Sequence, residues 1–311
     1  MNPSPERGEQ IWGVCVTFDP AIPVFTEVVS SAKAQLAGMV VVDNGSGSAG
    51  REAVRDLCGQ AGVRTVFLEA NRGLACALNI GAAEALSQGA SDILFLDHDS
   101  VPQAGMVAAM LSARQMLVAQ RRPIGALGAT AVDSRTGRAS PFVRFSILGL
   151  RRFLCGNSRE SVIATDMLNT SGSLIAADVL ATVGQMDESL FIDHVDTDWC
   201  LRARAAGFSL FGVCGARLSH RLGDEVIELG FPVGRSIHVH PPGRFHFYVR
   251  NSLLLYFRPH APLKWALPDA ARLLLFIVFY CVFPRRRVEY VGATMQAMRD
   301  AFARLMRPSG N

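Results

Sequence analysis

The sequence predicts an α/β fold in which a mostly parallel sheet carries helices on both faces. Short apolar runs alternate with segments of helical spacing through the first hundred residues. Turn-forming residues follow the runs, as at Asp19-Pro20 and Asn44-Gly45. Strands that alternate with helices pair in parallel, and sheets of this kind bind ligands beyond the carboxyl ends of their strands.

Each element of this fold has its own local signal. Apolar, β-branched runs predict strands, and apolar residues three or four positions apart predict helices. We expect strands at 11–18, 38–43, 63–68 and 93–96, and helices at 22–36, 49–61 and 74–86. The Arg- and Gly-rich stretch 134–161 is weakly periodic and predicts a loop or insertion. After it we expect a strand at 165–176, a helix at 196–206 and a strand at 208–213.

Charge and composition divide the chain into a short tail (1–10), a main domain (11–230) and a C-terminal segment (231–311). The whole chain carries a net charge of +4. The C-terminal segment holds twelve Lys and Arg and three Asp and Glu, a net of +9, which leaves −5 for the first 230 residues. A basic segment on an acidic body indicates an anionic partner. Because this segment is also the most apolar part of the chain, a lipid surface is favoured over nucleic acid.

One apolar run in the C-terminal segment bears on this partner. Residues 273–283 (LLLFIVFYCVF) are eleven uncharged residues, flanked by Arg272 and by 285–287, all arginine. A spanning helix needs about 20 apolar residues, so we expect an interfacial or re-entrant helix with arginines at the head groups. A buried core helix or a dimer helix is the alternative.

The N-terminus and the cysteines indicate the compartment. Residues 1–10 are polar and lack the apolar core of a signal peptide, so export is not expected. The seven cysteines show no CxxC pair and no regular framework, which favours buried, reduced thiols. The sequence therefore predicts a cytoplasmic protein that is peripheral on the inner face of the cell membrane.

Asp97-His98-Asp99 is the sharpest local signal in the sequence. The motif follows an apolar strand, so both carboxylates are expected in the cleft at the edge of the sheet. Hard divalent cations bind oxygen ligands and often complete their shell with the phosphates of a substrate. Strand-end aspartates are also common in ordinary loops, so the motif gains weight only beside other signals.

Polar residues at the neighbouring strand ends supply such signals. Thr17 and the pair Asp43-Asn44 follow the first two strands and are suited to bonding a ribose and a base edge. Residues 71–73 (NRG), followed by Asn79, stand at a helix start, where N–H groups favour phosphate. Turn and capping roles are the alternative for all of them. No G-x-G-x-x-G follows the first strand, which argues against a dinucleotide-binding dehydrogenase.

A second acidic cluster precedes a predicted helix. Asp193, Asp196 and Asp198 lie within 191–202 (FIDHVDTDWCLR). Acids here can cap the helix, and one of them can instead be the general base that takes a proton from an acceptor hydroxyl. His220 follows a strand and could reach a metal, although a structural role for it is equally open.

These motifs, in this order, resemble the family 2 glycosyltransferases. The resemblance spans roughly residues 11–255 and is carried by VTFDP (16–20), VVDNGS (41–46), EANRG (69–73), DHDS (97–100), TSGSLI (170–175) and the stretch 184–208. The wording FIDHVDTDWCLR is similar to the rhamnosyltransferase branch. The resemblance implies a GT-A fold, which has a Rossmann-like nucleotide-binding sheet. The basic C-terminal segment is then a helical, membrane-associating addition.

The resemblance also implies roles at the matching positions. The donor nucleotide sugar would contact Thr17, Asp19, Asp43, Asn44, Arg72, Asn79 and Asp97. A Mg²⁺ or Mn²⁺ ion would be held by Asp97, Asp99 and His220, with Asp99 as the expected direct ligand. The acceptor side would comprise Ser171, Gly172, Trp199, Arg250 and Asn251.

The implied reaction is an inverting displacement by an acceptor hydroxyl on the anomeric carbon. Asp196 matches the catalytic base, but Val195 stands where the family usually has an acid, so Asp193 remains the competing base. The implied donor is dTDP-L-rhamnose, with a UDP-sugar as the alternative. The implied acceptor is a saccharide or a lipid-linked saccharide in the synthesis of a surface polysaccharide such as O-antigen.

Two other classes of protein share some of these features. A nucleotidyltransferase also has strand-end carboxylates, but this chain has no glycine-rich phosphate loop followed by lysine, and its only lysines are Lys33 and Lys264. A non-catalytic, membrane-associated scaffold or sugar-nucleotide-binding protein stays open, although the set of Asp97, Asp99 and Asp196 disfavours it. A homo-oligomer is compatible with the sequence, and nucleic acid is not an expected partner.

Overall fold

The structure is a computed structural model that describes residues 10–156, 161–220, 226–229, 235–238, 241–284 and 286–306. The chain forms two compact units. The first takes in the residues up to 144, 152–191 and 195–220, and the second takes in 145–151, 192–194 and the residues from 221 on. The predicted tail, apart from Gln10, and the predicted boundary at 231 lie outside the described residues.

Strands and helices alternate through the first half of the chain, as the sequence predicts. The strands are β1 (Ile11–Thr17), β2 (Gly38–Asp43), β3 (Arg64–Phe67), β4 (Asp92–Asp97), β5 (Ser100–Pro102), β6 (Ile124–Asp133), β7 (Phe142–Ser146), β8 (Gly149–Phe153), β9 (Val162–Thr165), β10 (Ser173–Ala176), β11 (Ser209–His220), β12 (Val226–Leu229) and β13 (Arg235–His238). The helices are α1 (Ile22–Lys33), α2 (Ser48–Ala61), α3 (Leu74–Ser87), α4 (Met106–Ala119), α5 (Ala177–Val183), α6 (Val195–Ala205), α7 (Pro242–Tyr256), α8 (Leu263–Val282) and α9 (Arg287–Leu305). The predicted bounds of the first seven elements agree with the structure to within three residues.

Four parallel strands form the half of the sheet that carries the predicted nucleotide residues. Their order is β3-β2-β1-β4, and their register places Thr17 beside Asp43 and Val16 beside Asp97. The carboxyl ends of β1, β2 and β4 therefore meet at one edge, as predicted.

Alternate residues of β1 and β2 show which helices cover each face of the sheet. Cys15 and Val41 belong to a core shared with buried residues of α1, α2 and α4. Val14 and Val42 face α3, where a Cβ on Gly81 would lie 2.4 Å from Val14 Cγ1 and 3.1 Å from Val42 Cγ2. Because successive side chains of a strand point to opposite sides, helices cover both faces, which confirms the predicted layers.

The other half of the sheet corrects the prediction of a mostly parallel sheet. The order continues from β4 through β10, β6 and β11 to β5. Strand β10 is antiparallel to both β4 and β6, and β5 and β9 are antiparallel to β11. The single strand predicted at 165–176 is wrong over most of its length, because β9 ends at Thr165 and β10 begins only at Ser173. Residues 166–172 form the loop between them, in which Gly172 has a φ of +82°. The strand predicted at 208–213 continues to His220.

The predicted insertion 134–161 contains a two-stranded sheet of β7 and β8. Cys155, which follows β8, is bonded to Cys214 of β11 across 59 residues of sequence. The expectation of reduced thiols is therefore wrong for this pair, which no short spacing marks. It agrees with the structure for the buried free thiols Cys15, Cys58, Cys76 and Cys200.

The second unit contains the antiparallel pair of strands β12 and β13 and the helices α7, α8 and α9. Its core is aromatic, since the ring of Phe245 lies 4.2 Å from that of Tyr280 and 5.7 Å from that of Tyr290. The apolar run 273–283 is part of the longer helix α8. Among the described helices, α8 is the one that is long and apolar enough to cross a membrane, and 33% of its apolar window is buried.

Replacing Gly81 by Ala should destabilise the first unit, although alanine is the better helix former. The added Cβ would meet Val14 Cγ1 at 2.4 Å, and overpacking of this kind costs about 1–3 kcal/mol. Alanine gains only ~1 kcal/mol over glycine within a helix. The free energy of unfolding in urea should therefore fall.

Gly59→Ala in α2 is the matched control, because nothing lies within 4 Å of a Cβ at that position. This variant should unfold at a higher urea concentration than the original chain. An equal gain from both substitutions would contradict the close packing of α3 on the sheet.

Candidate active site

A hydrogen-bond network joins the ends of β1 and β2. Thr17 Oγ1 donates to Asp43 Oδ2 over 3.1 Å, and Ser46 donates to the same carboxylate from its hydroxyl at 2.5 Å and its backbone N at 3.1 Å. Thr17 and Asp43 are fully buried. Their side chains therefore hold the loop after β2, which favours a positioning role over the predicted direct contact with the nucleotide.

Asp19 continues this network at the exposed edge of the sheet. Its Oδ1 accepts a hydrogen bond from the backbone N of Gly47 at 2.9 Å, and its own backbone N donates to Ser46 Oγ at 2.8 Å. The residue has a φ of +43° and is exposed. Of the predicted nucleotide residues on β1 and the turn after it, Asp19 is thus the one that a ligand can reach.

Asn44 connects the network to the loop before α3. Its side chain donates to Asn71 Oδ1 at 3.1 Å and accepts from the backbone N of Arg72 at 2.9 Å. Gly73 then adopts a φ of +88°, and a Cβ there would lie 2.7 Å from the carbonyl oxygen of Phe191. The close approach of these two loops requires glycine. It leaves the Arg72 side chain exposed.

Asp97, Asp99 and His220, the predicted metal residues, come together at the end of β4. The pairing of β5 with β11 places Ser100 beside His220, and Ser100 Oγ lies 2.8 Å from His220 Nδ1. The same Nδ1 is 3.4 Å from Asp99 Oδ1. Strand pairing thus gathers residues that are far apart in the sequence.

Burial and charge govern the ionisation of this cluster. Burial, and then the charge of Asp99, raise the pKa of Asp97 to about 6. Burial also acts to raise the pKa of Asp99, but the hydrogen bond and charge of His220 outweigh it and hold that pKa below its ordinary value. The hydrogen bond to Asp99 in turn raises the pKa of His220. The cluster is an anionic site with a counter-charge beside it.

Asp196 lies in the first turn of α6, close to this cluster. Its charge is one of the causes that raise the pKa of Asp97. Its Oδ1 accepts a hydrogen bond from the backbone N of Thr197 at 2.7 Å, and it lines a small cavity together with Asn169 and Thr170. A second element of the fold thus places a carboxylate near Asp97.

Arg202, which no motif marked as functional, fixes the start of α6. It donates to Asp198 Oδ2 at 2.7 Å and to the carbonyl oxygens of Val183 and Gln185 at 2.8 Å each. Asp198 is fully buried, so this ion pair is part of the core. The i, i+4 spacing of the two residues is the sequence signal that could have found it.

Asp193, the competing base, belongs to the second unit. The guanidinium of Arg244 lies 3.0 Å from its carboxylate. Asn251 Nδ2 donates to the carbonyl oxygens of Ile192 and Asp193 at 2.7 and 2.9 Å, and Arg250 Nε donates to Asn251 Oδ1 at 3.0 Å. Arg250 and Asn251 are buried, so these two predicted acceptor-side residues hold the chain around Asp193.

Asn79 and Trp199 pack inside the first unit. The Asn79 amide bonds the backbone N and O of Met186 at 2.9 Å each and reaches Glu188 Oε1 at 3.0 Å. Trp199 is 2% exposed and donates from Nε1 to the carbonyl oxygen of Gly184 at 3.0 Å. These contacts favour structural roles over the predicted contacts with donor and acceptor.

Ser171 and Gly172 shape the backbone beside the carboxylate cluster. Ser171 Oγ accepts a hydrogen bond from the backbone N of Asp97 at 3.0 Å. A Cβ on Gly172 would lie 3.0 Å from both Ala129 Cβ and Leu218 Cδ2. Ser171 of the predicted acceptor-side pair thus anchors the Asp97 backbone, and Gly172 allows the chain to pack closely beside it.

The sequence is similar to proteins of known activity. Residues 14–123 match the family model described as Glycosyl transferase family 2. The chain is 27% identical over 290 residues to the dTDP-rhamnosyl transferase RfbF of Shigella flexneri, an alignment that covers 93% of this chain and 94% of that protein.

Solved structures share the fold at low sequence identity. GalNAc-T7 with UDP, GalNAc and Mn²⁺ superposes with a TM-score of 0.58 at 14% identity; the match covers 86% of this chain and 54% of that one, so this chain spans about half of its length. The mannosyltransferase PcManGT of Pyrobaculum calidifontis with GDP-Man and Mn²⁺ gives 0.53 at 15% identity, over 98% of this chain and 80% of that one. S. aureus TarS 1–349 with UDP-GlcNAc gives 0.52 at 16% identity, over 94% and 83% of the two chains.

The similarities in sequence and in fold agree with the order of the motifs along the chain and with the strand order of the sheet. At identities of 14–16% the solved structures establish the shared fold alone. The family model and the alignment with RfbF add the relationship in sequence. Over residues 14–123 the chain is similar to glycosyl transferase family 2, and over nearly its whole length it is similar to a dTDP-rhamnosyl transferase.

Proposed function

We propose that this glycosyltransferase moves L-rhamnose from dTDP-L-rhamnose to a hydroxyl of a saccharide or lipid-linked saccharide, with inversion at the anomeric carbon. The observation that carries the proposal is the convergence of Asp97, Asp99 and His220 at one end of the sheet, close to Asp196. The reaction needs a charged site for the leaving diphosphate and a separate base for the acceptor. The donor sugar is proposed from the similarity to RfbF.

Asp196 is the proposed catalytic base. It would take the proton of the acceptor hydroxyl as the oxygen forms its bond to the anomeric carbon and the diphosphate leaves from the opposite face. The ion pair of Asp193 with Arg244 supports this choice, because the Asp193 carboxylate is engaged by a guanidinium of α7. The ion pair of Arg202 with Asp198 would hold the start of α6, and with it Asp196, in place.

The residues at the end of β4 fit a divalent cation, Mg²⁺ or Mn²⁺. In the described ranges, no three His, Cys, Asp or Glu side chains stand close enough to hold an ion unaided. Asp99 and His220 would therefore share it with diphosphate oxygens of the donor and with water, as is common for these ions. A cation held there offsets the negative charge that develops on the leaving diphosphate. Arg72, exposed at the helix start, would add a further positive group.

The proposed place of action is the cytoplasmic face of the cell membrane, where a lipid-linked acceptor would be reached. The net charge of +9 over residues 231–311 and the apolar surface of α8 support this placement. A UDP-sugar remains the second candidate donor, because TarS, which has a similar fold, forms a complex with UDP-GlcNAc.

dTDP-L-rhamnose with Mn²⁺ should raise the thermal midpoint of the chain more than UDP-glucose, UDP-GlcNAc or GDP-mannose does. A ligand at a hundred times its Kd adds about 2.7 kcal/mol of apparent stability. A fluorescence melting series over the four nucleotide sugars measures the preference. A larger shift with a UDP-sugar would overturn the proposed donor.

Asp196→Asn should lower the rate of sugar transfer by about 10²–10⁴-fold, because a positioned base contributes that much. The melting shift with dTDP-L-rhamnose should persist, since the base faces the acceptor. The rate is measured as dTDP released from dTDP-L-rhamnose in the presence of a lipid-linked saccharide fraction. Asp193→Asn is the matched control and should retain far more activity. An active Asp196→Asn beside an inactive Asp193→Asn would reverse the assignment of the base.

Removal of divalent cations should weaken the binding of dTDP as well as stop transfer. Calorimetric titration of dTDP with Mn²⁺, and then after chelation by EDTA, measures this coupling directly. His220→Gln should weaken the Mn²⁺-dependent binding about tenfold or more, whereas His260→Gln, in the second unit, should leave it unchanged. Equal binding of dTDP with and without Mn²⁺ would contradict the proposed metal site.

A further inference from the structure

Helices α8 and α9 each carry a row of exposed apolar side chains along one side. On α8, six side chains recur on one side of the helix and are 50% to 72% exposed: Leu263, Leu267, Leu274, Leu275, Val278 and Val282. On α9, six more are 40% to 79% exposed: Val288, Val291, Met295, Met298, Phe302 and Leu305. We call these twelve side chains the apolar face. A surface helix normally turns its polar side outward, so the apolar face marks an interaction surface.

The opposite sides of the same helices are packed in the core of the second unit. Trp265, Leu273 and Tyr280 of α8 are 4%, 3% and 1% exposed, and Tyr290 and Ala297 of α9 are 3% and 0% exposed. The rings of Tyr280 and Tyr290 lie 5.0 Å apart. Because one side of each helix packs in this aromatic core, the opposite side, which carries the apolar face, must be exposed.

The contacts of Asp269 indicate that α8 does not cross a bilayer, although the helix is long enough to do so. The carboxylate is 6% exposed, accepts a hydrogen bond from Tyr256 Oη of α7 at 2.7 Å and pairs with Arg272. Pro268 stands beside it within the helix. A spanning α8 would leave Tyr256 and carry the ion pair into hydrocarbon, where charged side chains are disfavoured. Helix α8 therefore fits a position along the surface of a membrane.

Basic residues border the apolar face. Arg287 directly precedes Val288, and Arg299 lies one helical turn from both Met295 and Phe302. Both arginines are exposed, and residues 231–311 carry a net charge of +9, from twelve basic and three acidic side chains. Lipid head groups that are anionic complement this border. A second copy of the chain would bring the same positive border against its own in a two-fold contact, which like charges oppose.

We propose that the apolar face is a docking surface for an anionic phospholipid bilayer, on which α8 and α9 lie in the plane of the interface. The leucine, valine, methionine and phenylalanine side chains enter the boundary of the acyl chains, and the bordering arginines meet the phosphate groups. The inference rests on the membrane placement within the proposed function. It specifies which surface contacts the membrane, and that contact does not depend on bound donor or acceptor sugar.

Flotation with vesicles of phosphatidylcholine, with or without phosphatidylglycerol, tests the docking surface on the full chain. The chain should float with the mixed vesicles and largely remain behind with phosphatidylcholine alone. The double variant V278E/M295E should lower the floated fraction about tenfold or more, because both charges fall within the buried boundary. The double variant R287Q/R299Q should lose most of the preference for phosphatidylglycerol.

Val118→Glu is the matched control, because Val118 is 60% exposed on α4 of the first unit and its substitution should leave flotation unchanged. Every variant should keep the thermal midpoint of the original chain and the shift with dTDP-L-rhamnose. That shift reports on the proposed enzymatic function separately, so either idea can fail alone.

Three results would overturn the docking surface. One is flotation of V278E/M295E equal to that of the original chain. Another is a dimer in sedimentation that V278E/M295E converts to monomers while no vesicle is bound, which would assign the apolar face to a second copy. The third is retention on vesicles through high salt and alkaline carbonate with release by detergent only, which would mean that α8 spans the bilayer.

Discussion

Two carboxylates held close together at the end of one strand set the electrostatics of the first unit. Asp97 is half-buried, and its burial together with the charge of Asp99 raises its pKa to about 6. A nucleotide diphosphate brought to the same place adds more negative charge, and like charges in a buried site oppose each other strongly. His220 lies beside Asp99 and reduces this repulsion, and the cation proposed there would reduce it further. In the proposed function, a cation bound with the donor would offset this repulsion.

The mixed half of the sheet brings His220 to the carboxylates at the end of β4. Strand β11 runs from Ser209 to His220 and pairs with β5, which delivers an imidazole to the carboxylates of β4. The loop before β10 brings Ser171 onto the backbone of Asp97. The N-terminal turn of α6 brings Asp196 to the same neighbourhood. Strand pairing, a loop and a helix start thus bring residues that are far apart in the sequence to one strand end.

The fold could be predicted where local pattern decides structure. The apolar runs of β1, β2 and β4 and the periodicity of α3 are local, and their bounds agree closely. The separation of β9 from β10 could not be predicted, because Met167 and Leu168 in the loop between them are as apolar as a strand. A sequence motif gives the position of a residue but not the hydrogen bonds of its side chain. The bond of Asn79 to the backbone of Met186 was therefore not predictable.

The proposed reaction is a single displacement in which one carboxylate base serves the acceptor hydroxyl and the charged end of the sheet serves the leaving diphosphate. Its most direct test is the anomeric configuration of the transferred sugar, read by proton NMR of the product formed from dTDP-L-rhamnose. A single displacement by the acceptor oxygen predicts a product whose anomeric configuration is inverted relative to the donor. Retention of the donor configuration would require a second displacement or a different mechanism, and it would contradict the account.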